Sequence, residues 1–302
     1  MSRRHFMEML RAQFKLGRFA CVGLDSERDK IKPEMVQRTT TLNRLCHFNH
    51  AIIDATRDIA GCYKLNLAFY WGDEALHALR ESIAYIHKVA PDVPVILDAK
   101  YADIGNTNEG YVQQAFEYLQ ADAVTLNPYL GRKALEPFLK LEDKGAILLC
   151  RTSNEGSGEF QDRRLLLDPA EFQAFEQRIG HEVPEGSVPL YQYVAYQIAT
   201  SWNIKGNCAL VVGATYPEEL GEVRKIAGDM PLLIPGIGAQ GGDLERTVRA
   251  GLDASGQGIL INSSRGIIFA SSNADFASVA RQEAQKLHDE ITRIRAEVRV
   301  GK

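Results

Sequence analysis

The sequence predicts an α/β fold, a (β/α)8 TIM barrel, in a single domain. Two observations predict it. Eight short runs rich in Val, Ile and Leu recur along the 302 residues, each ending in polar or charged residues. Segments with helical apolar spacing lie between them. Near-continuous apolar strands alternating with helices imply a parallel sheet covered on both faces. Eight such units in a chain of this length close into a barrel, with an open doubly wound sheet as the alternative.

The elements follow in order. The N-terminal "MSRRHFMEMLRAQFKLGRF" reads as an amphipathic helix, because no apolar block follows its arginines as a signal peptide requires. The strand candidates are "ACVGLD" ending at Asp25, "GCYKLNLAF" over 61–69, "VPVILDAK" ending at Lys100 and "ADAVTLNP" ending near Asn127. "GAILLCRTS" ends at Ser153, "NCALVVGAT" at Thr215, "MPLLIPGIG" at Gly238 and "QGILINSSRG" at Gly266. Helical spacing marks Leu42–Ile59, Asp73–Val89, Asn108–Leu119, Lys133–Leu139, Leu190–Trp202, Pro217–Ile226, Asp243–Ala250 and Ala274–Val298. One interval is longer than the rest. From Ser153 to Asn207 the chain inserts "SNEGSGEFQD", a glycine-rich polar loop, and then a stretch with room for a short extra helix, an insertion at about 154–206. With no linker and no low-complexity tract, residues 1–302 read as one barrel domain.

Composition excludes several classes. The chain is 45% hydrophobic and 25% charged, with 35 basic and 39 acidic residues and a net charge of −4, so the basic excess of a nucleic-acid binder is missing. Runs such as "GAILLC" are too short to span a bilayer. The five cysteines form no CxxC pair, and Cys21, Cys62, Cys150 and Cys208 each fall in a predicted strand, as buried thiols of a reducing cytoplasm do. None of the seven histidines stands at a strand end.

In such barrels the active site gathers at the C-terminal ends of the strands. There the sequence places Asp25, Lys64, Asn66, Asp98, Lys100, Asp103, Asn127, Thr152, Ser153, Gln240 and Arg265. Residues two apart on a strand face the same side, so Asp98 and Lys100 are expected to point together out of the third strand. Lys64, Asp98, Lys100 and Asp103 alternate in sign, and each keeps its neighbour ionised. After the seventh and eighth strands, "GIGAQGGD" lets backbone N–H groups approach an anion, and Arg265 adds a planar charged fork. The pair predicts a phosphate site.

"DAKYADIGNT", with "CYKLNLAFY" before it and "PGIGAQGGD" after it, resembles the orotidine 5′-phosphate decarboxylase family, in its longer-chain bacterial (type 2) subgroup. "VGLDSE", "RTSNEGSG" and "INSSRGI" match in the same order along nearly the whole chain. Departures are Leu65 after Lys64, Tyr101–Ala102 between the lysine and the second aspartate of the motif, and Glu155 in the loop after Ser153.

The resemblance implies decarboxylation of orotidine 5′-phosphate to UMP and CO2 in pyrimidine biosynthesis, with no metal or organic cofactor. It implies Lys100 as proton donor to C6, flanked by Asp98 and Asp103, with Lys64 holding Asp98. It implies Asp25 on the ribose, Ser153 on the pyrimidine edge, and Gln240 and Arg265 on the phosphate, with Asn66 and Asn127 as further substrate contacts. Asp103, Ile104 and Thr107 would reach into a neighbouring subunit's site, making a homodimer with shared sites.

Three alternatives stand beside it: a Mg-dependent sugar-phosphate decarboxylase or aldolase of the same barrel superfamily, a Schiff-base aldolase using Lys100, and a catalytically dead barrel that binds a phosphate ligand. "RTSN" and Lys64 argue against the first. A charged, carboxylate-flanked lysine suits the second poorly. Converging charges are costly unless used, which argues against the third.

Overall fold

The computed structural model describes residues 4–37, 40–180, 183, 186–237 and 243–300. Its strands are β1 (Ala20–Gly23), β2 (Cys62–Asn66), β3 (Val95–Tyr101), β4 (Ala123–Leu126), β5 (Gly145–Arg151), β6 (Arg164–Leu166), β7 (Ser187–Pro189), β8 (Cys208–Val212), β9 (Leu232–Ile234) and β10 (Ile259–Ser263). Eight of them, β1, β2, β3, β4, β5, β8, β9 and β10, form a closed barrel in chain order, with every pairing parallel. These are the eight apolar runs.

The register closes consistently around the barrel. Cys21 lies opposite Cys62, Gly23 opposite Lys64, and Lys64 opposite Ile96. Ile96 lies opposite Ala123, Thr125 opposite Ile147, and Leu149 opposite Val211. Period-two alternation therefore puts Lys64, Asp98, Thr125 and Leu149 on the inner face, one layer above Cys62, Ile96, Ala123 and Ile147. Apolar side chains and thiols fill the lower layers, and polar groups occupy the top one. The bottom is closed by the N-terminal helix Phe6–Lys15, whose Phe6 is fully buried. A Cβ on Gly145 would lie 2.3 Å from that ring, so glycine is what lets Phe6 seat under β5.

The flanking helices follow the apolar spacing. Asp73–Val89 buries Ala75, Ala78, Leu79, Ile83 and Ile86, one stripe of a 3.6-residue period. Two helices expected as single elements, after β3 and before β8, each end in a π turn, at Gln113–Tyr118 and Ile198–Trp202. Between β5 and β8 the chain carries a helix, Pro169–Ile179, capped by Asp168, together with the antiparallel pair β6 and β7. That pair is not signalled in sequence, because its three-residue strands are too short to display alternation. Among the described residues no helix is long and apolar enough to cross a membrane.

Candidate active site

A cavity of about 460 Å³ opens at the C-terminal mouth of the barrel, within the usual size of a small-ligand site. Asp25, Lys64, Asp98 and Lys100 line one side. Thr152, Ser153 and Asn154 line another, and Gly236, Arg265 and Gly266 a third.

The charged side is one connected array. Lys64, only 5% exposed, donates to Asp25 Oδ1 at 3.3 Å and to Asp98 Oδ2 at 3.1 Å. Asp98 Oδ1 accepts from Lys100 Nζ at 2.6 Å and from Thr125 Oγ1 at 2.8 Å. Both oxygens of Asp98 are thus held by donors, two of them ammonium groups. Burial alone pushes the Asp98 carboxyl up, but Lys64, Lys100 and the hydrogen bonds from Lys100 and Thr125 outweigh it and hold the group well below the usual carboxylate range. Burial likewise disfavours the Lys64 ammonium, and Asp25 and Asp98 reverse this, raising Lys64 above the ordinary lysine value. Lys100 is different: its side chain is 48% exposed and borders the cavity.

Lys100 also has φ +51°, a left-handed conformation rare for a residue with a Cβ. The β3–β4 register shifts between Leu97 and Tyr101, so Lys100 sits on a bulge. The expected meeting of Asp98 and Lys100 occurs, by a local distortion rather than by plain alternation. Thr125 secures it. Its hydroxyl accepts from the Lys100 backbone N–H at 2.9 Å while donating to Asp98. Strained backbone held by its surroundings is characteristic of functional positions.

Two glycines seat the other walls. A Cβ on Gly23 would fall 1.9 Å from Ser264 Oγ, and one on Gly213 2.7 Å from Ser153 Cβ. Glycine at each position lets the end of β10 and the loop after β5 close over the neighbouring strand. Gly236 takes φ +105°, a conformation that favours glycine, at the start of the loop after β9.

A buried polar network underlies Asp25. Asn49 Oδ1 accepts from Ser26 Oγ at 2.6 Å, and its Nδ2 donates to Tyr70 Oη and Ser82 Oγ at 3.0 and 2.8 Å. Tyr70 Oη donates to the Leu24 carbonyl at 2.7 Å. The segment carrying Asp25 is therefore fixed on both sides. Nothing local in the sequence marks Asn49 or Tyr70 as members of this network.

The remaining sequence-predicted residues are placed as follows. Asn66 and Asn127 are not among the cavity-lining residues: each turns its Oδ1 back to accept the N–H two residues on, from Ala68 and Tyr129, at 3.1 Å. Asp103, Ile104 and Thr107 are likewise absent from the lining of their own chain's cavity. Asp103 accepts from the Ile104 N–H at 2.7 Å, and Ile104 is 63% exposed. Gln240 lies outside the described residues. Sequence reading missed Thr125, Asn154, Gln161 and Asn262, all of which line the cavity. The one available signal for Thr125 is weak: a threonine inside an apolar strand, two residues before a strand-end amide.

Comparison with known proteins agrees with this geometry. The model of the orotidine 5′-phosphate decarboxylase / HUMPS family matches residues 20–279. The orotidine 5′-phosphate decarboxylase of Ralstonia nicotianae is 45% identical over 291 residues, covering 96% of this chain and 99% of that protein. The structure of Leishmania donovani OMP decarboxylase superposes with a TM-score of 0.77 at 34% identity, covering 96% of this chain and 98% of that one. Leishmania donovani UMP synthase superposes with a TM-score of 0.79 at 36% identity over 97% of this chain, which spans 57% of the length of that longer protein. The chain belongs to the orotidine 5′-phosphate decarboxylase family.

Proposed function

We infer that this chain decarboxylates orotidine 5′-phosphate to UMP and CO2, the step that completes a pyrimidine nucleotide. The observation that carries the reading is the Lys64–Asp98–Lys100 array, with Lys100 at the cavity's edge, in a chain 45% identical over nearly its full length to a protein named for this reaction.

The chemistry follows from the array. When the bond from C6 to the carboxylate carbon breaks, its electron pair stays on C6, in the plane of the ring, where the π system does not spread it. CO2 leaves, and a proton must come to C6. The Lys100 ammonium, aimed by Asp98, attracts the growing charge and delivers that proton. Preorganised charge of this kind is commonly the largest catalytic contribution. Because Asp98 is held anionic by two cations, the ammonium's position is set before substrate arrives, and no reorganisation is required during the reaction.

We assign the remaining roles on the same basis. Asp25 takes the ribose hydroxyls, and Ser153 the pyrimidine edge. Gly236, Arg265 and Gly266 hold the phosphate with Gln240, far from C6, so that binding energy from the phosphate organises the site. Asn66 and Asn127 shape the strand ends. Asp103, Ile104 and Thr107 serve the site of a second copy of the chain, a homodimer arrangement supported by their exclusion from their own cavity and by the exposed Ile104.

The sugar-phosphate alternative needs carboxylate oxygens open to Mg²⁺. Both Asp98 oxygens are already engaged, which supports the nucleotide reading. The test is an ultraviolet assay of orotidine 5′-phosphate loss, run with and without EDTA. Equal rates in both are expected. No turnover, or turnover abolished by EDTA and restored by Mg²⁺, would overturn the reading.

A further inference from the structure

One buried cation takes no part in the chemistry above. Arg151 ends β5 and is only 2% exposed. Its guanidinium lies 3.9 Å from the centroid of the Tyr216 ring, a contact worth more when desolvated. It donates to Ser157 Oγ at 2.5 Å and to Gln161 Oε1 at 3.3 Å, and it pairs with Asp162 at 3.2 Å. Ser157, Gln161 and Asp162 all belong to the segment after β5 that contains the short helix Gly158–Gln161, and Gln161 lines the cavity.

Gln161 passes this anchoring on. Its Oε1 also accepts from the Thr152 N–H at 2.9 Å, and its Nε2 donates to Thr152 Oγ1 at 2.8 Å. Thr152 Oγ1 in turn donates to Asn154 Oδ1 at 2.7 Å. Every hydrogen-bonding group of the Gln161 amide except one N–H is thus committed to holding Thr152 and Arg151. Thr152, Ser153, Asn154 and Gln161 are contiguous along one cavity wall. Ser153 packs from its other side against Gly213, where no Cβ would fit.

We propose that Arg151, acting through Gln161, is a positioning residue that pre-forms the Thr152–Asn154 wall for recognition of the planar base of the substrate. This rests on the assignment of Ser153 to the pyrimidine edge. Burying a guanidinium is expensive unless its donors are used; here, among the described residues, Nε has no hydrogen-bond partner, and every side-chain hydrogen bond made by Nη1 and Nη2 goes to the segment that has to discriminate the base. Preorganising such a loop lowers the entropy lost on binding. The phosphate end of the cavity, at Gly236 and Arg265, has no hydrogen bond to this network among the described residues, so the two ends of a nucleotide should respond separately.

The experiment measures dissociation constants of a pyrimidine nucleoside monophosphate and of ribose 5-phosphate for wild type, Arg151→Met, Arg151→Lys and Gln161→Ala. Wild type should prefer the nucleotide. Arg151→Met and Gln161→Ala should each weaken the nucleotide about tenfold, the equivalent of one lost charge-assisted hydrogen bond, and leave ribose 5-phosphate unchanged. The double variant should be no weaker than Arg151→Met. Arg151→Lys should recover little, because an ammonium cannot span the fork. Unchanged nucleotide preference in folded Arg151→Met, or in Gln161→Ala should the first variant not fold, overturns the proposal. Equal loss for both ligands makes Arg151 merely structural and also overturns it. A wild type that does not prefer the nucleotide refutes instead the underlying assignment of Ser153.

Discussion

Thr125→Val removes one hydroxyl and keeps the side chain's shape, so it isolates what that hydroxyl does for Lys100. In the native site it donates to the Asp98 carboxylate at 2.8 Å and accepts the Lys100 N–H at 2.9 Å. A hydrogen bond to a charged group contributes about 2 kcal/mol, and a backbone N–H left without its acceptor costs about 1 kcal/mol. The sum, about 3 kcal/mol, is of the size of the strain stored in a left-handed residue that carries a side chain, about 1–3 kcal/mol. With its anchor gone, Lys100 at φ +51° has reason to relax toward ordinary strand geometry and carry its ammonium away from C6. If two-thirds of the loss appears in the transition state, kcat falls by roughly thirtyfold. KM should stay within about threefold, since the phosphate contacts are untouched. The assay is initial-rate loss of orotidine 5′-phosphate absorbance, with a melting curve alongside. A lower melting temperature with kcat within about twofold of wild type would show that the hydroxyl only supports the fold, and the argument for Lys100 positioning would be wrong.

Mixing inactive Lys100→Ala with inactive Asp103→Ala should restore roughly a quarter of wild-type activity, because random exchange makes half the dimers hybrid and gives each one intact shared site. No recovery after verified exchange would contradict the assignment of Asp103, Ile104 and Thr107 to the neighbouring site. At the far end of the barrel, Asp122 accepts from Arg4 Nε and Nη2 at 2.8 and 2.7 Å and from the Val95 N–H at 2.8 Å. Burial pushes its carboxyl up, but Arg4 and nearby His87 outweigh this and bring it down to about 2. A folded value below the unfolded one means that this stabilisation, about 2 kcal/mol, is complete above about pH 4 and is lost as the pH falls toward 2. Asp122→Asn should therefore lower the melting temperature at pH 7 by several degrees, with the gap from wild type closing in acid. A gap independent of pH would refute the linkage.

How much of this was legible in the sequence varied with the physics of each signal. The barrel was legible because buried parallel strands must be apolar throughout, so a charge at the end of such a run stands out; Asp25, Lys64, Asp98 and Lys100 were found that way. Thr125 was hidden because threonine is also an ordinary strand former. Asn49, Tyr70 and Arg151 were hidden for a different reason: their partners are set by tertiary packing, and nothing local marks a polar side chain as buried. Asn66 and Asn127 were placed at the correct strand ends, but an asparagine there has its own backbone as the nearest partner. The positive φ of Lys100 was invisible, since plain alternation already predicted Asp98 and Lys100 on one side and gave no reason to expect the bulge that brings them together.

Turnover here depends on a fixed ammonium beside C6. The most direct measurement is a crystal structure of this protein with a pyrimidine nucleotide bearing an anionic substituent at C6. Lys100 Nζ should lie about 3 Å from that substituent while still bonded to Asp98. An ammonium turned away from the base, with Asp98 and Asp25 coordinating a divalent ion instead, would contradict the account.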